Sequence, residues 1–290
     1  MVYGNKFCTD SRFFMSKIGK IVKKNNSALY WSCLYLFPKA KREAIYAVYA
    51  FCKHLDDIVD SPIPTEEKMS LIQAWKEELH NIYDNKVPST EVGRYIYKNC
   101  MRFKLPKERF MDLLQQISID LPTPVQSMPL KNFNAYCNAV AGTPYYFTMK
   151  IMGFNNELAE ELAKNLGMFL QITDILLDVK DDAKMNRLYV PSEFVKNAKI
   201  TSSDPEHIVT DKNFAVVRKE LGKIAENNLI QARTTIGNMD EKSARPFNIV
   251  LNIYEQYFYA MKNRGWEIIS PKPALSNSKK WGIILKSILK

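Results

Sequence analysis

Three aspartates interrupt an otherwise apolar stretch, and their spacing indicates where chemistry takes place. Asp56, Asp57 and Asp60 belong to the segment HLDDIVD. If this segment is helical, Asp56 and Asp60 lie one turn apart on the same face, whereas Asp57 points about 100° away. Two carboxylates held this close repel each other unless a cation lies between them. Asp56 and Asp60 are therefore a candidate cation site, to which Asp57 should matter less.

A second group of aspartates has the same character. Asp174, Asp178 and Asp182 are spaced i, i+4 and i+8 within a long apolar segment, so they form an acidic stripe on a helix. Oxygen ligands without histidine or thiolate suit Mg²⁺, which keeps several waters and is usually completed by the phosphates of a substrate. For either group alone, a solvated helix end is an equally good explanation. Both groups together, each embedded in apolar helix, favour a magnesium and diphosphate site.

The elements that must position these aspartates are helices. Long proline-free stretches carry apolar residues at helical spacing, and strand-like alternation is rare. We predict helices at 39–60, 66–84, 90–101, 106–118, 131–152, 156–184, 211–235, 239–264 and 279–288. Pro144 should kink the fifth of them. Because no repeat, linker or change of composition marks a domain boundary, the sequence predicts a single all-α domain.

Composition and charge exclude several classes of protein. The 290 residues are 46 % apolar and 25 % charged, which excludes a disordered or collagen-like chain. The net charge of +10 arises at the ends, since residues 1–24 carry +5 and residues 258–290 carry +6. A neutral body with basic ends does not resemble a nucleic-acid groove. It suits either an anionic membrane surface or solvated tails.

The cysteines and the hydropathy pattern point to a reducing compartment. The five cysteines are spread singly, without a CxxC pair or a nearby histidine cluster, which argues against a zinc site and a secreted scaffold. The N-terminus lacks the apolar core of a signal peptide, and no run of 18 apolar residues occurs. We therefore expect a soluble or peripheral cytoplasmic protein.

Three segments of the chain resemble the squalene/phytoene synthase family. Residues 27–60 read SALYWSCLYLFPKAKREAIYAVYAFCKHLDDIVD, residues 136–143 read YCNAVAGT, and residues 167–191 read GMFLQITDILLDVKDDAKMNRLYVP. The order and spacing of these segments match the family over most of the chain. Of its branches, the bacterial presqualene diphosphate synthases of hopanoid pathways look nearest.

The resemblance implies a single-domain isoprenoid synthase helical bundle whose central cavity binds two prenyl diphosphates with Mg²⁺. One substrate would lose diphosphate to leave an allylic cation, and the double bond of the other would attack it. Two farnesyl diphosphates are favoured over geranylgeranyl diphosphate, giving presqualene diphosphate or squalene. NADPH would be needed only if the reaction proceeds to squalene, and the chain has no GxGxxG motif in a strand and helix context.

The resemblance also assigns roles to individual residues. The residues implied as metal ligands are Asp56, Asp60, Asp174, Asp178 and Asp182. The residues implied to bind substrate are Lys53, Gln171, Arg187 and Arg264. The residues expected to act in catalysis are Tyr49, Asp56, Asp60, Asp178 and Tyr189, the two tyrosines as walls of a cavity that shields the cation.

Several positions depart from the family pattern, among them Phe247, which stands where tyrosine is usual. Asp174 stands where asparagine is usual, Leu177 and Lys53 where arginine is usual, and Tyr145 where a small residue is common. Leu177 cannot bind phosphate, and lysine lacks the bidentate fork of arginine. These changes leave a second hypothesis open, in which the chain is a catalytically weakened relative acting as a binding or assembly factor. The filled set of aspartates favours the enzyme.

The ends of the chain complete the predicted organisation. We predict a basic segment over 1–24, the all-α domain over 25–268, and a basic amphipathic helix within 269–290. In the last of these, one apolar stripe is formed by Trp281, Ile284, Leu285 and Ile288. Such a stripe lies either on the inner face of a membrane or on the protein's own bundle. The protein should be a monomer or a dimer.

Overall fold

The computed structural model describes residues 16–25, 27–119, 121, 123–155 and 157–289. Its helices are α1 (Lys17–Asn25), α2 (Ser27–Leu36), α3 (Lys39–Asp60), α4 (Thr65–Tyr83), α5 (Glu91–Phe103), α6 (Lys107–Ile117), α7 (Leu130–Cys137), α8 (Thr143–Met152), α9 (Glu157–Lys184), α10 (Ser192–Asn197), α11 (Pro205–Thr210), α12 (Phe214–Gly237), α13 (Glu241–Arg264) and α14 (Asn277–Leu289). Two short strands, β1 (Gln126–Met128) and β2 (Leu188–Pro191), pair in parallel. The all-α prediction is confirmed.

Each predicted helix is present, and the differences have local causes. The predicted helix 131–152 consists of α7, a π-helical turn over Asn138–Gly142, and α8 with Pro144 in its first turn, where proline is tolerated. The predicted helix 211–235 begins later, at Phe214, because the short helix α11 ends just before it. The short elements α1, α2, α10, α11, β1 and β2 were not predicted. Residues 1–15 of the predicted basic segment lie outside the described residues.

Two apolar clusters form the core, and α8 belongs to both. Phe51 and Phe110 lie in the cluster of α1 to α6, whereas Phe169 lies in the cluster built mainly by α7, α9, α12 and α13. From α8, Phe147 stacks on Phe110 at 4.3 Å between ring centroids, while Met149 packs into the second cluster. Helix α8 therefore marks the seam between the two clusters.

One buried carboxylate stabilises the α4–α5 connection. The side chain of Glu78 is 6 % exposed and accepts hydrogen bonds from the backbone N–H and hydroxyl groups of Ser89 and Thr90 at 2.9–3.2 Å. Burial acts to raise the pKa of Glu78, but these four hydrogen bonds outweigh it, so the pKa lies below its ordinary value. The Glu78 carboxylate thereby fixes the two residues that precede α5.

The cysteines and the helix lengths agree with the sequence. Cys33, Cys100 and Cys137 are buried free thiols, and Cys52 is partly buried. Burial raises the pKa of the Cys33 thiol to about 12, so this thiol is unreactive at neutral pH. Among the described helices, none combines the length and apolar character that crossing a bilayer requires.

Candidate active site

A cavity of about 360 Å³ opens at the seam between the two apolar clusters, and we call it the acidic cavity. Helices α3 and α9 and strand β2 supply most of its wall. Its polar and aromatic lining residues are Asp56, Asp60, Tyr136, Gln171, Asp174, Asp178, Asp182, Arg187 and Tyr189. The structure thus brings all five predicted metal ligands to one place, together with three other predicted site residues.

The last two turns of α3 present the first aspartate pair. Asp56 and Asp60 both line the acidic cavity, as their i, i+4 spacing predicts. Asp57 points away from it, because its side chain is 59 % exposed and forms an ion pair with Lys53 at 2.5 Å. The pKa of Asp56 is raised to about 6, mainly by burial and in smaller part by Asp60, whereas Lys53 opposes the shift.

Helix α9 presents the second aspartate group from the other cluster. Asp174, Asp178 and Asp182 face the acidic cavity over two successive turns. Burial is the main cause that raises the pKa of Asp174 to about 7, and the neighbouring Asp178 adds to it. The hydroxyl of Tyr254 donates a hydrogen bond to Asp174 Oδ2 at 3.1 Å and acts in the opposite direction. Near neutral pH the carboxyl group of Asp174 is therefore partly protonated.

Strand β2 adds an aromatic wall, and the residue just before it adds a cation. Arg187 and Tyr189 both line the cavity, while Leu188 and Val190 are fully buried on the other side of the chain. Arg187 Nη1 donates a hydrogen bond to Asp60 Oδ1 at 3.1 Å. The ring of Tyr189 stacks on Tyr136 with 5.2 Å between centroids. The strand therefore connects the α3 aspartates to the α9 side of the cavity.

A close backbone contact fixes α9 beside the π-helical turn. A Cβ atom added to Gly167 would lie 2.5 Å from Gly142 Cα, which no side chain permits. Gly167 is required because its backbone touches the backbone of the π-helical turn at this point, whereas a Cβ atom on Gly142 would meet the side-chain oxygen of Asn138 at 2.8 Å. Gln171 follows Gly167 by one turn and reaches the cavity wall. The contact sets the position of α9, and hence of its aspartates, relative to α7 and α8.

The donor atoms of the site suit a hard divalent cation that arrives with phosphate. Within the described ranges, no three His, Cys, Asp or Glu side chains converge on a point that could hold a metal ion. Mg²⁺ typically binds one or two carboxylates and completes its shell with water and phosphate oxygens. The aspartates therefore fit this ion, as ligands shared with a bound diphosphate rather than as a preformed cage.

A second, larger cavity of about 500 Å³ lies next to the first, and we call it the apolar cavity. Asp174 and Asp178 line both cavities. The wall of the apolar cavity is otherwise formed mainly by aliphatic and aromatic side chains of α2, α8, α9 and α13, among them Tyr145 and Leu177. Tyr145 therefore narrows this cavity and not the acidic one.

Three predicted site residues lie outside both cavity walls. Tyr49 is two turns before Asp56 on α3 and packs against the first apolar cluster, so it does not reach the acidic cavity. Lys53 is held on Asp57. Arg264, at the end of α13, donates its hydrogen bonds to the backbone carbonyls of Pro271 and Ile269.

Two residues with direct access to the aspartates were missed by the sequence analysis. Tyr254 lines the apolar cavity and bonds Asp174, and Lys272 contacts Asp178 from the loop between α13 and α14. Both lie more than 75 residues from their partners. A local spacing pattern carries no signal for such contacts.

The C-terminal helix α14 packs on the protein itself. It lies against α13 and α2, and Ile284 is 1 % exposed. Of the predicted stripe, Leu285 remains 54 % exposed and Trp281 is partly buried, while the side chain of Ile288 lies outside the described residues. Ile284 therefore belongs to the bundle, whereas Leu285 stays exposed and can make a contact.

Comparisons with known proteins agree with this geometry. The presqualene diphosphate synthase of Sinorhizobium fredii is 27 % identical over 252 residues, which cover 87 % of this chain and 90 % of that protein. The structure of a dehydrosqualene synthase in complex with ligand superposes with a TM-score of 0.78 at 23 % identity, covering 93 % of both chains. A squalene synthase from Alicyclobacillus acidocaldarius gives 0.75 at 19 % identity, with 86 % and 93 % covered. Residues 22–279 match the squalene/phytoene synthase family, and the chain therefore belongs to it.

Proposed function

We propose that this protein joins two molecules of farnesyl diphosphate head to head in a Mg²⁺-dependent reaction that yields presqualene diphosphate. The observation that carries the proposal is the convergence of both aspartate groups on one cavity, directly beside an apolar cavity that shares two of the aspartates. Two prenyl diphosphates need a place where diphosphate is bound and an adjoining apolar space for their hydrocarbon chains. The family and the similarity to presqualene diphosphate synthases support the same activity.

The residues of the acidic cavity would hold and ionise the first substrate. Mg²⁺ bound to the aspartates would neutralise the negative charge that builds on the departing diphosphate. Arg187 is placed to donate hydrogen bonds to the same group, because its guanidinium already reaches Asp60 across the cavity. The C–O bond of the substrate breaks, its electron pair leaves with the diphosphate, and an allylic cation remains.

The aromatic wall would protect this cation until the second substrate reacts. Tyr136 and Tyr189 present stacked rings next to the aspartates, and ring faces attract cations. The double bond of the second farnesyl diphosphate attacks the cation, and the loss of one proton closes a cyclopropane ring. The adjoining apolar cavity, with its mainly aliphatic and aromatic wall, would limit capture of the cation by water.

Product analysis tests the proposal. Purified protein is incubated with farnesyl or geranylgeranyl diphosphate, with Mg²⁺ or EDTA and with or without NADPH, and products are identified by mass spectrometry. We expect presqualene diphosphate from farnesyl diphosphate with Mg²⁺ alone. A product only from geranylgeranyl diphosphate would make the enzyme a phytoene-synthase type, and a hydrocarbon formed with NADPH would extend the reaction to squalene. No turnover of either substrate would support a binding or assembly factor.

We further propose that the protein is cytoplasmic and touches the inner face of a membrane through α14. The support is the exposed Leu285, flanked by the exposed lysines Lys279 and Lys286. Full-length protein should co-sediment with anionic vesicles at low salt, and Leu285→Glu should reduce this binding while the thermal unfolding midpoint stays unchanged. Equal binding of the variant would contradict the proposal. Deletion of 279–290 is the weaker test, because it also removes the buried Ile284.

A further inference from the structure

A lysine outside both aspartate motifs contacts the second of them. Lys272 Nζ donates a hydrogen bond to Asp178 Oδ1 and lies 2.7 Å from Asp181 Oδ2. Asp178 lines both cavities, whereas Lys272 lines only the apolar cavity. The ammonium group therefore approaches a candidate metal ligand from the side of the apolar cavity.

The loop that carries Lys272 is anchored by two arginines. Arg264 donates hydrogen bonds to the carbonyls of Ile269 and Pro271. Arg218 is 1 % exposed and donates to two further carbonyls of the same loop. These bonds fix the backbone up to the residue before Lys272.

The lysine itself combines a stiff backbone with a mobile side chain. Lys272 lies between Pro271 and Pro273, so the two rings restrict the backbone on both sides of it. Its side chain is 39 % exposed and ends in a compact charge on a flexible four-carbon stem. The ammonium group can therefore exchange partners near Asp178 without a movement of the loop.

The charges around the two cavities leave a diphosphate short of cations. In the described part of the chain, the cations that line either cavity are Arg187, Lys272 and Lys280. Arg187 is bonded to Asp60, and Lys280 lies 5.7 Å from the ring centre of Tyr257. Among these three, only Lys272 both lines the apolar cavity and bonds an aspartate that also lines the acidic cavity. Leu177, on the same wall of the apolar cavity, offers no charge.

We propose that Lys272 is a diphosphate-binding residue that occupies Asp178 in the free protein and transfers to the diphosphate when a divalent cation takes its place on Asp178. The inference rests on the proposed function, since it assumes that the aspartates receive a metal and a diphosphate. A cation on Asp178 repels the ammonium group, and phosphate oxygens then offer it stronger acceptors than the exposed Asp181. The residue thereby supplies at the apolar cavity the charge that Leu177 lacks.

If Lys272 moves from Asp178 to the diphosphate, its removal should have opposite effects on the affinities for a metal ion and for pyrophosphate. Lys272→Met should bind Mn²⁺, measured by electron paramagnetic resonance without diphosphate, about threefold more tightly, because one competing exposed ion pair is removed. The same variant should bind inorganic pyrophosphate with Mg²⁺, measured by calorimetry, ~10-fold more weakly, the scale of one charge-assisted hydrogen bond. A residue that only held the fold together would weaken both.

Two further variants control the measurement. Lys184→Met removes a lysine that pairs with Asp181 at 3.4 Å but lines neither cavity, so both affinities should stay within about twofold of wild type. Lys272→Arg keeps the charge and should retain most of the pyrophosphate affinity. Thermal unfolding checks that each variant is folded, and if Lys272→Met is not, Lys272→Gln takes its place.

The outcomes separate this inference from the proposed function. Unchanged pyrophosphate binding by Lys272→Met, weaker binding of both ligands, or a wild type that binds no pyrophosphate would overturn the role of Lys272. Opposite effects in a protein that turns over no prenyl diphosphate would refute the proposed function and leave the role of Lys272 standing.

Discussion

Replacing Asp174 by asparagine should stabilise the metal-free protein, and the gain should grow as the pH rises. The change keeps the shape of the side chain and its oxygen acceptor for the hydroxyl of Tyr254. The substitution removes only the ability of this side chain to ionise. Burial and the nearby Asp178 make that ionisation unfavourable in the folded state.

The size of the effect follows from the pKa of Asp174, which is raised from 3.8 to about 7. Because a tenfold change in an equilibrium is about 1.4 kcal/mol, ionisation above pH 7 costs the folded state up to about 4 kcal/mol. Asp174 borders the cavity and is partly exposed, so water offsets part of this cost and we expect ~2 kcal/mol. The folded state holds the proton more tightly than the unfolded state. The wild type is therefore fully stable with respect to this group below pH 4 and loses stability as the pH rises through 7.

Urea unfolding in EDTA between pH 4 and pH 8, followed by circular dichroism and tryptophan fluorescence, measures the difference. The free energy of unfolding of Asp174→Asn should equal that of wild type near pH 4 and exceed it by ~2 kcal/mol at pH 8. Asp57→Asn is the matched control on α3, because Asp57 is exposed and its replacement should change stability by less than about 0.5 kcal/mol. A gain for Asp174→Asn that is equal at every pH would refute the reasoning.

Three further predictions concern catalysis and stability. Asp56→Asn should lower Mg²⁺-dependent kcat at least ~100-fold, whereas Asp57→Asn should leave it within about threefold, as steady-state product assays would show. Glu78→Gln should lower the free energy of unfolding, measured by urea titration, by ~2 kcal/mol at pH 7. This difference from wild type should shrink as the pH falls below 4, because the wild-type carboxylate then gains its proton. Gly167→Ala should cost ~2 kcal/mol because its Cβ has no room, while Gly237→Ala, with open space around it, should leave the thermal unfolding midpoint unchanged or higher.

The aspartate motifs were predictable because a helix converts spacing into direction. Asp56 and Asp60 repeat at one turn, and so do the aspartates of α9, so their common faces follow from the sequence alone. The same geometry explains why Lys53 does not line the acidic cavity. It shares its face with Asp57, four residues on, and pairs with it instead of reaching the cavity. Spacing thus gives the face of a helix, and the nearest opposite charge on that face decides the partner.

The positions of the other residues outside the acidic cavity depend on distant parts of the chain. Tyr49 shares a face with Asp56 but lies two turns away, where α3 is already covered by other helices. Arg264 is held by loop carbonyls that have no partner in a helix or strand, and Lys272 reaches Asp178 only through that loop. Such contacts follow from how the helices pack, which local periodicity does not encode.

The contact between Gly142 and Gly167 has a consequence for how such a protein can change over generations. A larger residue at position 167 would clash with the backbone of the π-helical turn, so Gly167 cannot be replaced without moving a whole helix. Side chains that line the apolar cavity, such as Tyr145 and Leu177, meet no such barrier. Descendants of this sequence can therefore alter the shape of the apolar cavity by exchanging wall residues, while the seat of α9 on the π-helical turn stays inherited.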